Sequence, residues 1–274
     1  MPPDRAIAME RLLSRLWDDY VSITPQAARI HELLRSRGEQ FRNDHIALRS
    51  FDLPPIGLDA LAEPFEALGW RRAGEYRFEE KRLFARGYVH ESRDAPRVFI
   101  SELVTGDFSP ELRRRAGELA ARVPRGTRGA ALLERAPSWP AVPVELYDAL
   151  LRESEYAAWV AAFGIRANHF TVHANDLRTF SGLAELNRFL EAQGFELLGS
   201  GSKIQGGPEV LLEQSSTLAS RIPWSFAGGV VREIPSCYYE FAKRYADPAT
   251  GELYQGFVAA SADRIFESTN VRRA

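Results

Sequence analysis

Two hydrophobic periods alternate along this chain, and the order of their alternation repeats. From Ala6 to Ile23, Leu12, Leu13, Leu16 and Trp17 recur at three- and four-residue spacing, which marks one apolar helical face. Thr24-Pro25 reads as an N-cap followed by proline in the first turn. A second helix from about Gln26 to Arg37 ends near Gly38, where a left-handed residue is cheap. At His45 the period drops to two. Ile46 and Leu48 point to one face of a strand, and His45, Ala47 and Arg49 to the other. Leu58–Leu68 reads as a helix closing at Gly69-Trp70. Tyr76–Phe78, Leu83–Val89 and Arg97–Leu103 read as strands, giving β-α-β-β-β.

A helical stretch broken by proline, glycine and arginine runs from Ser109 to Phe163, too long for a plain loop. The first order then returns. Asn168–His173 alternates as a strand. Leu183–Gln193 places Leu183, Leu186, Phe189 and Leu190 on one helical face, and Phe195–Leu198, Val210–Gln214 and Cys237–Phe241 are strand candidates. The prediction is an α+β chain of two paired βαβββ modules forming a concave mixed sheet, with added helices. The expected divisions are N-terminal helices at 1–40, a first module at 41–108, a helical connector at 109–166, a second module at 167–260 and a tail at 261–274.

Composition narrows the classes. The 274 residues are 45% hydrophobic and 26% charged, with a net charge of -2. No nucleic-acid partner is expected, because phosphate binding needs concentrated positive charge. The one basic run, Arg113-Arg114-Arg115, lies among glutamates and reads as a solvated helix face. Cys237 is the only cysteine, so an intrachain disulfide and the multi-cysteine zinc sites are excluded. No apolar run approaches the roughly 20 residues of a membrane span, and Met1–Glu10 lacks the apolar stretch of a secretory leader. No membrane association is expected, and a cytoplasmic location is.

Five histidines carry the candidate chemistry: His31, His45, His90, His169 and His173. His45 and His169 open the matching strands. If the modules pair about a pseudo-twofold axis, these strands lie side by side, and Glu240 from the closing strand completes two histidines and a carboxylate. That set leaves open metal positions and suits non-haem Fe(II) oxygen chemistry. Spacing alone also allows ordinary hydrogen-bonded strand histidines. His173 competes with His169 on the same face, about 13 Å further along. Glu102, in the closing strand of the first module, is a possible fourth ligand. His31 reads as surface, His90 as a turn residue and Cys237 as packing. Arg49 shares the face of His45, and its planar cation suits a carboxylate. Gln214 and Ser216 share a face and are candidate pocket residues. The glycine-rich Gly199–Gly207 lacks the lysine and hydroxyl spacing of a phosphate loop and reads as a turn or mobile cover.

Asn-Asp-His-Ile-Ala-Leu-Arg-Ser-Phe at Asn43–Phe51, Ala-Asn-His-Phe-Thr at Ala167–Thr171 and Tyr-Glu-Phe-Ala-Lys-Arg at Tyr239–Arg244 resemble the 2-oxoadipate dioxygenase/decarboxylase family. The resemblance spans about residues 10–260 and implies the vicinal oxygen chelate fold. It implies Fe(II) held by His45, His169 and Glu240, with Arg49 holding the substrate carboxylate. The implied reaction converts 2-oxoadipate and O2 to 2-hydroxyglutarate and CO2. The best-known members carry more chain after the glutamate strand. Two alternatives stand beside this reading: a glyoxalase-like lyase or isomerase that recruits Glu102 as a fourth ligand, and a non-catalytic small-molecule binder.

Overall fold

The structure, a computed structural model, describes residues 3–134, 138–199 and 202–258. Helices α1 (Pro3–Ile23) and α2 (Pro25–Ser36) precede a first run of β1 (Asn43–Phe51), α3 (Leu58–Leu68), β2 (Trp70–Phe78), β3 (Leu83–His90) and β4 (Arg97–Leu103). The connector contains α4 (Pro110–Ala120), α5 (Ala130–Leu133), α6 (Val144–Leu151) and α7 (Glu155–Phe163). The second run is β5 (Arg166–His173), α8 (Leu183–Ala192), β6 (Gln205–Gly207) and β7 (Leu212–Ser216). It continues through a hairpin of β8 (Arg221–Ser225) and β9 (Val231–Pro235) to β10 (Tyr238–Arg244). The expected tail at 261–274 lies outside the described residues, as does Pro137.

Eight strands form one sheet in the order β2-β3-β4-β1-β5-β10-β7-β6, with β8 and β9 paired apart from it. β1 and β5 meet antiparallel at the centre. Outward from that seam each half repeats: a parallel closing strand, then two antiparallel ones. A pseudo-twofold axis therefore crosses the seam, and the two opening strands lie side by side as the repeated order implied.

The seam is covered on both sides. β5 is buried along its whole length, and β1 at every residue but its first. On one side α1 packs Trp17 edge-on against Phe170 at 5.1 Å, and Tyr20 lies 5.0 Å from the same ring. On the other, α7 brings Tyr156 and Trp159 over Arg49 of β1. Ser154 starts α7 by accepting a hydrogen bond from the Ala157 amide. A buried strand is normally apolar, yet β5 buries Asn168, His169, Thr171 and His173. Buried polar atoms need partners, and those partners define the site.

Three expectations change. Phe195–Leu198 is not a strand; only Leu197 makes a bridge, to Thr217. The second strand of that module is β6, inside the glycine-rich stretch expected to be a turn or cover (Ser200 and Gly201 lie outside the described residues). β6 exists because it pairs with β7 from Gln205↔Gln214 to Gly207↔Leu212, a long-range stabilisation that local pattern does not carry. β2 starts at Trp70 rather than Tyr76, because an edge strand tolerates the exposed Arg71 and Arg72.

Candidate metal centre

Two bulges aim the site. Along the β1/β5 seam, Asn43 pairs with Val172 and His45 with Thr171, so Asp44 is an extra residue on β1. At the other end Ala47 pairs with His169 and Leu48 with Ala167, so Asn168 is an extra residue on β5. A bulged residue leaves the ladder and re-aims its side chain. Here each bulge immediately precedes a histidine. Asp44 Oδ1 accepts from His45 Nδ1 at 2.8 Å. Asn168 lies between His169 Nδ1, at 3.3 Å, and Arg49 Nε and Nη2, both at 3.2 Å. Its amide oxygen faces the guanidinium.

The far nitrogens of both rings converge. His45 Nε2 and His169 Nε2 are 3.3 Å apart. Glu240, level with Thr171 across β10 and β5, places Oε1 3.5 Å from His45 Nε2 and Oε2 3.3 Å from His169 Nε2. Thr171 Oγ1 is 3.1 Å from His45 Nε2. All three candidate ligands are buried, and their donor atoms lie within 4.8 Å of one another. Three lone-pair donors facing one point in a dry interior repel unless a cation joins them, so the donor set fits a divalent transition metal. Burial holds the His169 ring well below the usual imidazole range, helped by the neighbouring His45 and Arg49. His169 is therefore neutral and able to donate a lone pair. Burial raises the Glu240 carboxyl, and His45 and a hydrogen bond from Gln214 oppose that shift.

The surroundings sort the remaining candidates. Gln214 Nε2 donates to Glu240 Oε1 at 2.5 Å, so it orients the carboxylate. Ser216 lies opposite Glu240 on β7. Arg49 is 2% exposed, lies between the Tyr156 and Trp159 rings at 5.1 Å from each, and borders a cavity of about 470 Å³. Leu83, Arg82, Phe108 and Tyr156 also line that cavity, and none of the three candidate ligands does. Arg49 thus stands at the cavity wall, linked to His169 through Asn168.

Glu102 is not at the centre. Its Oε2 accepts from the Leu58 amide at 2.7 Å and caps α3. The pseudo-twofold position of Glu240 is Phe99, because Ala47 pairs with Phe99 as Thr171 pairs with Glu240. His173 does not compete with His169; its Nδ1 lies 2.9 Å from Asp44 Oδ2. His31 is half-buried rather than on the surface, between Trp17 and Phe41 at 5.0 Å from each ring. His90 receives the Ser92 amide and packs on Trp70. Cys237 is buried packing, its thiol pushed up to about 12 by burial.

Asp44, Asn168, Arg244 and Phe257 carry roles that sequence reading missed. Arg244 grips both oxygens of Asp44, Nε to Oδ2 at 2.7 Å and Nη2 to Oδ1 at 2.8 Å. Burial opposes ionisation of Asp44. The Arg244 charge outweighs it, together with hydrogen bonds from Arg244, His173 and His45, and the carboxyl sits well below its usual range. Phe257 lies edge-on to His45 at 5.0 Å. A usable signal was present: a carboxylate or amide directly precedes each opening histidine.

A paired βαβββ sheet around buried histidine and carboxylate donors defines a protein of the vicinal oxygen chelate fold. A glyoxalase superfamily protein of Ralstonia eutropha shares that fold at 23% identity and a TM-score of 0.75, over 93% of this chain and 87% of that one. The chain belongs to the 2-oxoadipate dioxygenase/decarboxylase family, whose model matches residues 8–255. The rice 2-oxoadipate dioxygenase/decarboxylase is 32% identical over 94% of this chain and 78% of its own length. The crystal structure of rice hydroxyglutarate synthase in complex with 2-oxoadipate matches with a TM-score of 0.91 and 30% identity, covering 99% of this chain and 95% of that one. A Shewanella frigidimarina protein described provisionally as a hydrolase is 45% identical, with a TM-score of 0.84 over 92% of this chain and 98% of that one.

Proposed function

We propose that this protein is an Fe(II)-dependent dioxygenase/decarboxylase that converts a small 2-oxo dicarboxylic acid of the 2-oxoadipate type, with O2, to a 2-hydroxy acid of the 2-hydroxyglutarate type and CO2. The convergence of His45, His169 and Glu240 within 4.8 Å carries the reading. Family membership and the 2-oxoadipate bound by the rice relative support it. A ferrous ion on these donors would supply the one-electron chemistry by which O2 reacts with a 2-oxo acid, whose own decarboxylation provides the electrons.

The residues divide the work. His169 presents a neutral ring because burial disfavours its cation. Asp44 accepts the Nδ1 proton of His45 and leaves Nε2 free to ligate. Gln214 fixes the Glu240 carboxylate. Arg49 binds a substrate carboxylate from its place on the cavity wall, where Tyr156 and Trp159 hold the guanidinium flat. The cavity of about 470 Å³ has room for a small diacid, with Arg49, Lys81 and Arg82 as its cationic lining beside Glu80, Glu153 and Glu155. Ser216, opposite Glu240, is the remaining substrate-facing candidate.

A glyoxalase-like lyase is the second reading. It needs a fourth protein ligand from the first module, and Glu102 is committed to α3. No helix among the described residues is long and apolar enough to cross a membrane. The single buried cysteine suits a reducing compartment, and the cytoplasm is the proposed location. The test is anaerobic loading with Fe(II), then oxygen uptake and CO2 release across 2-oxo acids of increasing length. Equimolar uptake and release with a 2-oxo diacid is expected. No uptake with any of them overturns the reading.

A further inference from the structure

We infer that Arg244 is a positioning residue that joins His45 and the segment Tyr254–Phe257 into one unit, so that metal binding and closure of that segment favour each other. The inference rests on His45 being a metal ligand, as proposed above. Arg244 has a fully buried side chain and uses its donors on two partners. One edge of the guanidinium holds both oxygens of Asp44, which in turn holds His45 Nδ1. The other edge, Nη1, donates to the carbonyls of Tyr254 at 2.9 Å and Gly256 at 2.8 Å.

Those carbonyls flank the turn that delivers Phe257. Its amide donates to the Tyr76 hydroxyl at 3.2 Å, and its ring packs on Phe99 at 4.9 Å and edge-on against His45 at 5.0 Å. His45 is therefore held from two directions by one strap: on its ring by Phe257, and at Nδ1 through Asp44 and Arg244. Phe99 occupies the place that Glu240 holds in the other module, so the strap closes the side of the centre that lacks a carboxylate. Lysine cannot replace this arginine, because a point charge on a flexible stem does not span a carboxylate and two carbonyls at once.

Linkage makes the inference testable, since each event must favour the other by the same factor. Co(II) dissociation constants by chelator competition and hydrogen exchange at residues 254–257 are measured for wild type, Arg244→Lys, Arg244→Met and Gly87→Val. Gly87 lies on β3 away from every ligand, and an added Cβ would come within 3.0 Å of the Phe257 ring. Valine there wedges the strap open without touching Asp44. Expected results are Co(II)-dependent protection of the strap in wild type, and binding weaker by roughly 10–100-fold in Arg244→Met, with Arg244→Lys between. Gly87→Val is expected to show faster strap exchange and several-fold weaker binding. Wild-type affinity in Arg244→Met, or in a Gly87→Val protein whose strap exchanges faster, overturns the coupling while the metal reading stands. Wild type that binds no Co(II) overturns both.

Discussion

The two ends of the β1/β5 seam are built on one plan and finished differently. At one end the bulged Asp44 meets His173, four residues past His169. At the other the bulged Asn168 meets Arg49, four residues past His45. The pseudo-twofold exchanges these pairs. Asp44 can only accept, so it fixes the proton of His45 on Nδ1, and Arg244 seals it from behind. Asn168 has a single accepting oxygen, which Arg49 holds, so it offers the Nδ1 proton of a ligating His169 no acceptor comparable to Asp44 and fixes that ring less firmly. The Asp44 end is backed by Arg244 and the strap and borders only a small cavity of about 110 Å³, whereas the Arg49 end borders the cavity of about 470 Å³. Each module supplies one histidine of the candidate centre; on the proposed function, the Asp44 end supports the ligand His45 while the Arg49 end faces the substrate.

The largest effect comes from removing what both ends share. Glu240→Gln is expected to lose Fe(II) binding and drop activity to background, read by metal content and oxygen uptake. Next, the ends should separate by readout. Arg49→Gln should raise KM for the 2-oxo acid by roughly 10–100-fold, the worth of a charge-assisted hydrogen bond pair, with metal affinity near wild type. Asp44→Asn should instead weaken metal binding by roughly 10–100-fold, as loss of a histidine's supporting carboxylate does. If the two variants show the same pattern, the division fails. Asn168→Asp makes the ends alike. It should hold metal at least as well as wild type, and raise KM several-fold because the new carboxylate occupies Arg49; an unchanged KM would argue against Arg49 as the carboxylate site.

The smallest effect is a control away from both ends. Glu39 accepts from the Arg178 amide and from the Thr179 amide and hydroxyl. Burial alone would raise its carboxyl, but these hydrogen bonds lower it. Its folded-state pKa lies below its unfolded value, so its stabilisation is present above the ordinary carboxylate range of about 4 and is lost as pH falls further. Glu39→Gln should flatten the acid side of a urea-midpoint profile and leave metal affinity unchanged, which separates acid effects on the fold from those on the site.

Much of this was readable along the chain. Period-two runs located β1, β4 and β5, period-3.6 runs located α1, α2, α3 and α8, and their order gave the paired modules. His45 and His169 stood at matching places in that order, and Glu240 stood in the closing strand of the second module. β6 and the β8–β9 hairpin were not legible, because glycines and short polar runs acquire strand character only from a partner. Glu102 was misplaced because pseudo-equivalence follows sheet register, and the register puts Phe99, not Glu102, at the pseudo-twofold counterpart of Glu240.

By itself the sequence determined the long periodic elements and which residue types could ligate, since side-chain period and donor chemistry are local. Only the tertiary structure decided that Asp44 and Asn168 bulge out of the ladder, that Arg244 reaches Asp44 across 200 residues, and that Phe257 comes to lie on His45. These depend on register and on chain return between strands far apart in sequence, and no local period encodes either.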